Sequence, residues 1–569
     1  MIGRGKGTAA AALAVACLLS PLGRGAAAAS PAPDGRGHVF FSLALRMRPP
    51  DPGPAPARFE AVAVMAGLQG ALPSPDASAT PPPPKPKAKV GRAWIELGAF
   101  LAYSTASYWI RNGFPEDWQY HLTLDSQIPR FFWFEGWRFD SNMFRVNWTH
   151  TMAGGIYYQL ARTNNLSWAS SWLICIAVST YWEGFTEWRE VISLNDQMLT
   201  GVSSYAIGES WYQLGHFLGN QPSTAVKVVA WFVDPPLMFN RWLDRKDPAT
   251  RYYVPPGWRD FRLFAGARNL SSSGQASQTA AYIGLHTQIL GLPEYGTPGD
   301  IDEAVKDTYF SEIGGDYSIR DGHADETNFT LGAAALGHFR QKINDAREGY
   351  SLTIGMGSSF EYFKKKPVDY YDSPGVPYDF ENPGSNLELD RPRNFTDKLA
   401  ILHVAGPRLD WTIFRHGLRL RTVAGAYFDF GLINSLALNA YSELHHTPSD
   451  DTIEGMKSTV LYYGYYYGFG GTLSLSSRLE WGNFRAQGLA SFGAWGSADF
   501  RDRFPEHVTN NAHLDDSRTR GLLGAGWKLP WAPLELFANI EGFWRYGHLA
   551  EVSTRYLEKK AYLGLAFIF

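Results

Sequence analysis

The stretch Ala561-Tyr562-Leu563-Gly564-Leu565-Ala566-Phe567-Ile568-Phe569 places Ala561, Leu563, Leu565, Phe567 and Phe569 on one face of a strand. The same period of two returns repeatedly toward the N-terminus. Leu534, Leu536, Ala538 and Ile540 oppose Glu535, Asn539 and Glu541. Leu473, Leu475, Leu479 and Trp481 oppose Thr472, Ser474, Arg478 and Glu480. Leu418, Leu420, Ala424 and Phe428 oppose Arg419, Arg421 and Asp429, and Leu352, Ile354, Met356 and Phe360 oppose Thr353, Ser359 and Glu361. In 279–290, Ala281, Ile283, Leu285 and Ile289 oppose Tyr282, Gly284, His286 and Gln288. Runs of about 9–13 residues suit a tilted membrane strand. The pattern predicts an antiparallel transmembrane β-barrel of about ten to twelve strands over 251–569, with lipid on one face and a crowded polar lumen on the other. A secreted β-sandwich also alternates, but the abundance of Tyr and Trp and the lack of paired cysteines favour lipid contact.

Leu563, Leu565, Phe567 and the final Phe569 resemble the terminal signature that the barrel-assembly machinery recognises in outer-membrane proteins. That machinery during biogenesis, outer-membrane lipid and a location in the cell outer membrane are therefore expected. Composition agrees. Aromatics reach 15% with 20 Trp and 29 Tyr, while charged residues stand at 19%, below the usual quarter or so. A net charge of −3 gives no footing for a nucleic-acid partner. Residues 1–29 read as an export signal: Arg4 and Lys6, an apolar run from Ala9 to Leu19, then Ala27-Ala28-Ala29. Cys17 as a lipid-acceptor cysteine is the rival reading of that start. Residues 30–90, rich in Pro and Ala and carrying Pro81-Pro82-Pro83-Pro84, read as an extended spacer. Cys175, in an apolar helical run, reads as a buried thiol.

Between these parts, 91–250 is helical. Apolar segments at 94–110, 143–162, 167–192, 195–218 and 224–232 predict five helices, the last stopped by Pro235-Pro236. The fold class is thus α+β, a helical bundle followed by a barrel. Residues 163–182 carry no charge but too many Ser, Thr and Asn for a membrane span. Strongly apolar helices would also be retained in the inner membrane. The bundle is therefore expected below the barrel or inside its lumen.

One ordered pattern dominates the bundle: Asp140, Asn147, His150, Arg162, Trp182-Glu183, Glu187, Ser193, Asn195-Asp196 and Gly208-Glu209. It resembles the bacterial family known as domain of unknown function 3943, over about 80–120 residues. His150-Thr151-Met152 stands where that family has His-Pro-Tyr. The resemblance implies an envelope location; the family has no established activity, so it gives no mechanism.

Read for chemistry, Glu183 and Glu187 are four apart and share a helical face. With His150 and Asp196 they are the candidate catalytic residues, and His150, Glu183 and Glu187 are candidate metal ligands. The competing account has Arg162 and His150 neutralising these acids in a buried network that sets helix register. The helical segment has no Glu-x-x-His or His-x-x-x-His pair, so the di-metal template is unmet there and no cofactor is expected. Ser193 or Asn195 is expected to cap a helix. Gly154, Gly155 and Gly201 read as close helix contacts, and His286 and His338 as lumen residues. The function expected is a structural, assembly or transport role in the envelope. A membrane-embedded hydrolase or lipid-modifying enzyme using the Glu/His/Asp cluster, and a channel gated by the helices, are the alternatives.

Overall fold

The computed structural model describes residues 85–112, 119–140, 144–245, 253–272, 277–365, 397–435, 437, 465–498 and 513–568. Residues 1–29, read above as an export signal, most of the Pro/Ala-rich stretch, most of the three expected surface loops (369–393, 443–448 and 503–516) and Phe569 lie outside them.

Twelve strands close into one antiparallel ring. They are β1 (Trp258–Ser272), β2 (Gln278–Leu290), β3 (Phe310–Arg320), β4 (His323–Ile343), β5 (Gly349–Lys365), β6 (Asp397–Arg415), β7 (Leu418–Ile433), β8 (Tyr466–Trp481), β9 (Phe484–Ser497), β10 (Leu514–Lys528), β11 (Leu534–Leu549) and β12 (Val552–Ile568). Each pairs with its sequence neighbour, and β12 returns to β1 through Gly564↔Gly266. Closure satisfies every strand edge, which a sheet in hydrocarbon requires. A short side strand, Gly299–Val305, pairs with the far half of β4. The outer face carries exposed Leu473, Leu475, Phe492, Leu523, Ile540 and Leu563, a lipid-facing belt. The protein is an outer-membrane barrel.

The inner face is filled. Arg421 donates to Asp410 and, across the lumen, to Gln288 on β2. Arg478 on β8 reaches Asp260 on β1 (2.6 Å), and Arg545 on β11 reaches Asp397 on β6 (2.7 Å) and Asp516 on β10 (2.8 Å). Arg518 meets Glu361 at 2.5 Å. Phe363, Leu399, Ile433, Trp495 and Phe543 pack inside one end. At the other end the turn after β2 tucks Leu292 and Tyr295 against Phe310 and Phe339. The Tyr295 hydroxyl lies 2.6 Å from Thr412 on the opposing wall. Gln341 pins this turn, accepting from Gly296 N–H and donating to the carbonyls of Glu294 and Thr297. A small barrel can fill its interior with side chains in this way.

His338 does not face the lumen. A bulge between Ala335 and Gly337, with Leu336 at φ 53°, inserts a residue into β4 and reverses the parity beyond it. His338 points outward and meets Asp302 of the side strand.

The helices are α1 (Val90–Asn112), α2 (Phe144–Arg162), α3 (Trp168–Tyr181), α4 (Ser204–Gly219), α5 (Thr224–Val233) and α6 (Pro235–Asp244). Two boundaries differ from expectation. The third helix leaves the α form at a π turn, Trp182–Thr186, instead of running to Ile192. Pro235-Pro236 ends α5 but also starts α6, because proline is tolerated at the first helical position and Asp234 accepts from Leu237 N–H as its cap.

The bundle neither plugs the lumen nor sits below the barrel; it docks on the barrel's outer wall. Phe261, Thr287, Ile313, Leu331, Phe360, Leu402, Phe430 and Phe469 are successive register partners, one row crossing β1 to β8 at right angles to the strands. All belong to the outward face, since their chain neighbours Asp260, Glu312, Glu361 and Asp429 hold the lumen network. Phe139, Trp148, Ile207, Leu214 and Phe217 cover most of this row in one continuous apolar core. Phe139 stacks on Phe430 and Tyr467, Trp148 meets Phe360 at a tilt, and Phe217 meets Phe261 edge-on. Ser210 adds a hydrogen bond to the Gly332 carbonyl (2.7 Å).

Candidate functional site

The ordered pattern of polar residues separates into two centres. In the first, Arg162 on α2 pairs with Glu209 on α4 (2.9 Å) and with Asp307 of the barrel (2.7 Å). Tyr158 and Gln213 also donate to Glu209. Gly208 permits this crossing, because a Cβ there would run into the Tyr158 ring. Arg162 therefore neutralises Glu209 and Asp307, not Glu183 or Glu187 as the register-setting account expected.

The second centre holds the acids. His150 projects from α2, Glu183 from the π turn after α3, and Asp196 from the short helical turn Leu194–Asp196. A two-residue parallel bridge, Trp137↔Ile192 and Arg138↔Ser193, holds the second strip of chain beside the entry to α2. Ser193 caps the turn by accepting from Asp196 N–H. A second π turn, Gln197–Val202, follows directly. π turns widen a helix locally and re-aim its side chains, and two of them flank this pair of acids. Gly154 permits the approach of α2, since a Cβ there would collide with the Thr200 carbonyl.

One ligand atom from each of His150, Glu183 and Asp196 lies within 4.8 Å of the other two. His150 Nδ1 is 3.5 Å from Asp196 Oδ1 and 3.5 Å from the Thr200 hydroxyl. Glu183 is 1% exposed and Asp196 2%. Glu183 accepts one bond, from Ser193 N–H. Glu187 accepts from the Trp182 indole N–H at 3.0 Å and stands beside the trio. Among the described residues no Lys or Arg side chain pairs with Glu183, Glu187 or Asp196. Burial, and then the neighbouring carboxylates, push Glu183 and Glu187 well above the usual carboxylate range. Burial also raises Asp196, against the pull of His150.

Two supports were not apparent from the pattern. Arg130, wholly buried, directs its guanidinium at main-chain carbonyls: those of Glu183, Gly184, Glu187 and Glu190. It fixes the loop that carries both glutamates and acts on their carboxylates by its charge, without a hydrogen bond to either side chain. Its signal was only an Arg after Pro129 in an aromatic stretch. The second support is the barrel. Tyr465 and Tyr467 of the wall accept from the Asn147 amide, and Tyr467 donates to the Asp140 carbonyl. Asn147 in turn accepts from Asn195, which donates to Asp196 and accepts from Asp140 N–H. The motif residues Asp140, Asn147, Asn195 and Asp196 thus form a hydrogen-bonded path from barrel to site.

Residues 136–236 match the family described as Domain of unknown function (DUF3943), so the second centre and most of the helical bundle are a DUF3943 domain. No curated protein matches the chain. Among solved structures, the Pseudomonas putida toluene transporter TodX aligns over 54% of this chain and 89% of its own, at 8% identity and a TM-score of 0.19. A Pseudomonas aeruginosa FadL homologue aligns over 55% and 90%, at 10% identity and 0.21. The outer-membrane channel DcaP of Acinetobacter baumannii aligns over 55% and 96%, at 8% identity and 0.20. At such scores the assignment rests on the closed ring of strands and its lipid-facing belt.

Proposed function

We propose that the barrel is a filled anchor and that the protein works through its helical domain, by holding a divalent cation at His150, Glu183 and Asp196. The observation that carries this is a pair of buried carboxylates and a histidine converging where, among the described residues, no Lys or Arg forms an ion pair with either acid. Buried acids are ordinarily paired or bound to metal. One nitrogen and two carboxylate donors suit a first-row divalent ion such as Zn²⁺ or Mn²⁺. Three protein ligands leave room for water, and a metal-bound water is a hydrolytic nucleophile. The same centre thus supports the hydrolase or lipid-modifying reading over the gated channel, because the helices do not enter the lumen and side chains fill it.

The test uses the full chain purified in detergent. Metal analysis after dialysis against Zn²⁺ or Mn²⁺ is expected to find about one bound ion per chain. At a hundredfold excess over Kd such an ion adds about 2.7 kcal/mol to stability. Glu183→Gln and Asp196→Asn are expected to abolish that uptake while leaving the barrel's heat-modifiable migration in gels intact. Uptake by both variants equal to wild type, or none by wild type with either ion, overturns the proposal.

A further inference from the structure

The helical domain occupies space that lipid holds around other barrels, and its own outer surface is apolar. We infer that this surface faces the bilayer: the helical domain lies in the membrane plane against β1 to β8 and contacts hydrocarbon on the side turned away from the barrel.

Three observations lead there. First, the edge of the domain crosses the lipid belt in mid-strand. On β7, Phe430 and Leu432 are buried beneath the domain, while Phe428, on the same face, is 54% exposed. On β5, Phe360 and Tyr362 are covered and Met356 and Ile354 are not; on β8, Tyr467 is covered and Leu473 is not. The domain and the lipid are therefore neighbours along single strands, and the belt runs into the domain without a polar break.

Second, the domain continues that belt. Ile95, Tyr103 and Ile110 of α1, Leu173 of α3 and Phe232 and Trp242 of α5 and α6 are all more than half exposed. Leu173 is as open (61%) as Leu563 in the barrel belt (60%). Large apolar side chains exposed in such number on one domain mark a partner or a membrane.

Third, charge is arranged as at a membrane boundary. At the end near the turn before β3, Lys89 and Arg92 pair with Asp244, Arg92 with Glu96, and Lys85 and Arg162 with Asp307. Beyond that collar, α1 carries no charged residue from Leu97 to Ile110, and α3 carries none at all. The uncharged part of α1 spans about 21 Å at 1.5 Å per residue, close to the height of about 25 Å for the apolar band of such barrels. No described helix is long and apolar enough to cross a membrane by itself. Retention in the inner membrane is thereby avoided, and the helices reach hydrocarbon only by lying on a barrel that already spans it.

The full chain, reconstituted in phosphatidylcholine nanodiscs, provides the test. Single spin labels at Tyr103→Cys and Leu173→Cys, in a Cys175→Ser background, are compared with Leu563→Cys as lipid reference and Asp345→Cys in an exposed turn as water reference. Collision with oxygen is expected to exceed collision with a water-soluble nickel chelate at both helical sites, as at Leu563. A ratio like that of Asp345 at both overturns the inference. Wild-type protein gives an independent readout with diazirine-bearing phosphatidylcholine. Adducts are expected in 97–110 and 168–181 as well as in β9 to β12, and adducts confined to the barrel likewise overturn it.

Discussion

The lumen and the helical domain bury acids in opposite ways. In the lumen most carboxylates meet a cation: Glu326 accepts from Arg268 (2.5 Å) and Lys560 (2.7 Å), Glu541 from Arg520, and Asp260 from Arg262 and Arg478, whereas Asp316 is held by the Asn328 amide and Glu312 by that of Gln288. In the helical domain Arg162 answers Glu209 in the same manner, but Glu183, Glu187 and Asp196 have a histidine at their edge, hydrogen bonds, and the Arg130 charge nearby, with no Lys or Arg ion pair among the described residues. A matched pair contributes to a fixed geometry and leaves nothing for a ligand to do. An unmatched set raises the free energy of the empty domain and lowers it again when a cation arrives. The difference separates charges that build the protein from charges that can bind something.

Neutralising a lumen acid tests the first half of that contrast and carries the largest expected effect. Glu326→Gln keeps the size and one acceptor but leaves Arg268 and Lys560 short of a counter-charge in a closed interior. Breaking one partner of a buried pair costs about 3–5 kcal/mol. The loss is read as a lowered unfolding midpoint of the barrel in lipid or detergent. An unchanged midpoint would mean that the lumen charges are far better solvated than their burial implies. Arg130→Ala comes next. It removes charge-assisted bonds to four carbonyls, each worth up to about 1.5–3 kcal/mol but not additive. A loss of about 2–3 kcal/mol is expected in the helical domain, followed by Trp fluorescence, with cation uptake gone and barrel migration unchanged. Arg130→Lys is expected to rescue little, because an ammonium lacks the planar fork that reaches several carbonyls at once.

Much of the barrel was legible because lipid and lumen impose a strict period of two. The outward sets at 281–289, 418–428, 473–481 and 534–540 are where alternation places them. What alternation cannot distinguish is lipid from a docked helix. Phe428 and Phe430 are the same residue on the same face, one exposed and one beneath Phe139. The outward docking of the bundle therefore left no mark in the pattern. The parity change at Leu336 was equally invisible, since a bulge needs only one inserted residue. In the site, the residue types were visible but their partners were not. Glu187 shares the i, i+4 relation with Glu183 only in a regular α-helix. The π turn breaks that relation, and Asp196 rather than Glu187 completes the trio with His150. Arg162 has the charge to neutralise the acids, yet the crossing of α2 and α4 delivers it to Glu209.

The smallest effect has the reverse sign and probes the contrast most directly. Burial raises the Glu183 carboxyl well above its unfolded value, so the folded domain keeps a proton that the unfolded chain releases above about pH 4.5. Stability of the cation-free domain is therefore expected to fall as pH rises from that value toward the raised one, and to level off beyond it. Glu183→Gln removes that group's share of the slope and leaves the share of Glu187 and Asp196. Its amide oxygen can still accept from Ser193 N–H, and its NH₂ group can donate toward the neighbouring carboxylates. At neutral pH and without metal the variant is expected to unfold at a higher denaturant concentration than wild type, because its amide puts no charge in the buried site beside Glu187 and Asp196. Saturating Zn²⁺ is expected to invert the order, because only wild type gains from the ion. The comparison needs two denaturation curves per protein, with and without metal, at pH 7. A Gln variant that is less stable in both conditions would place Glu183 with the lumen acids, as a charge that builds the fold.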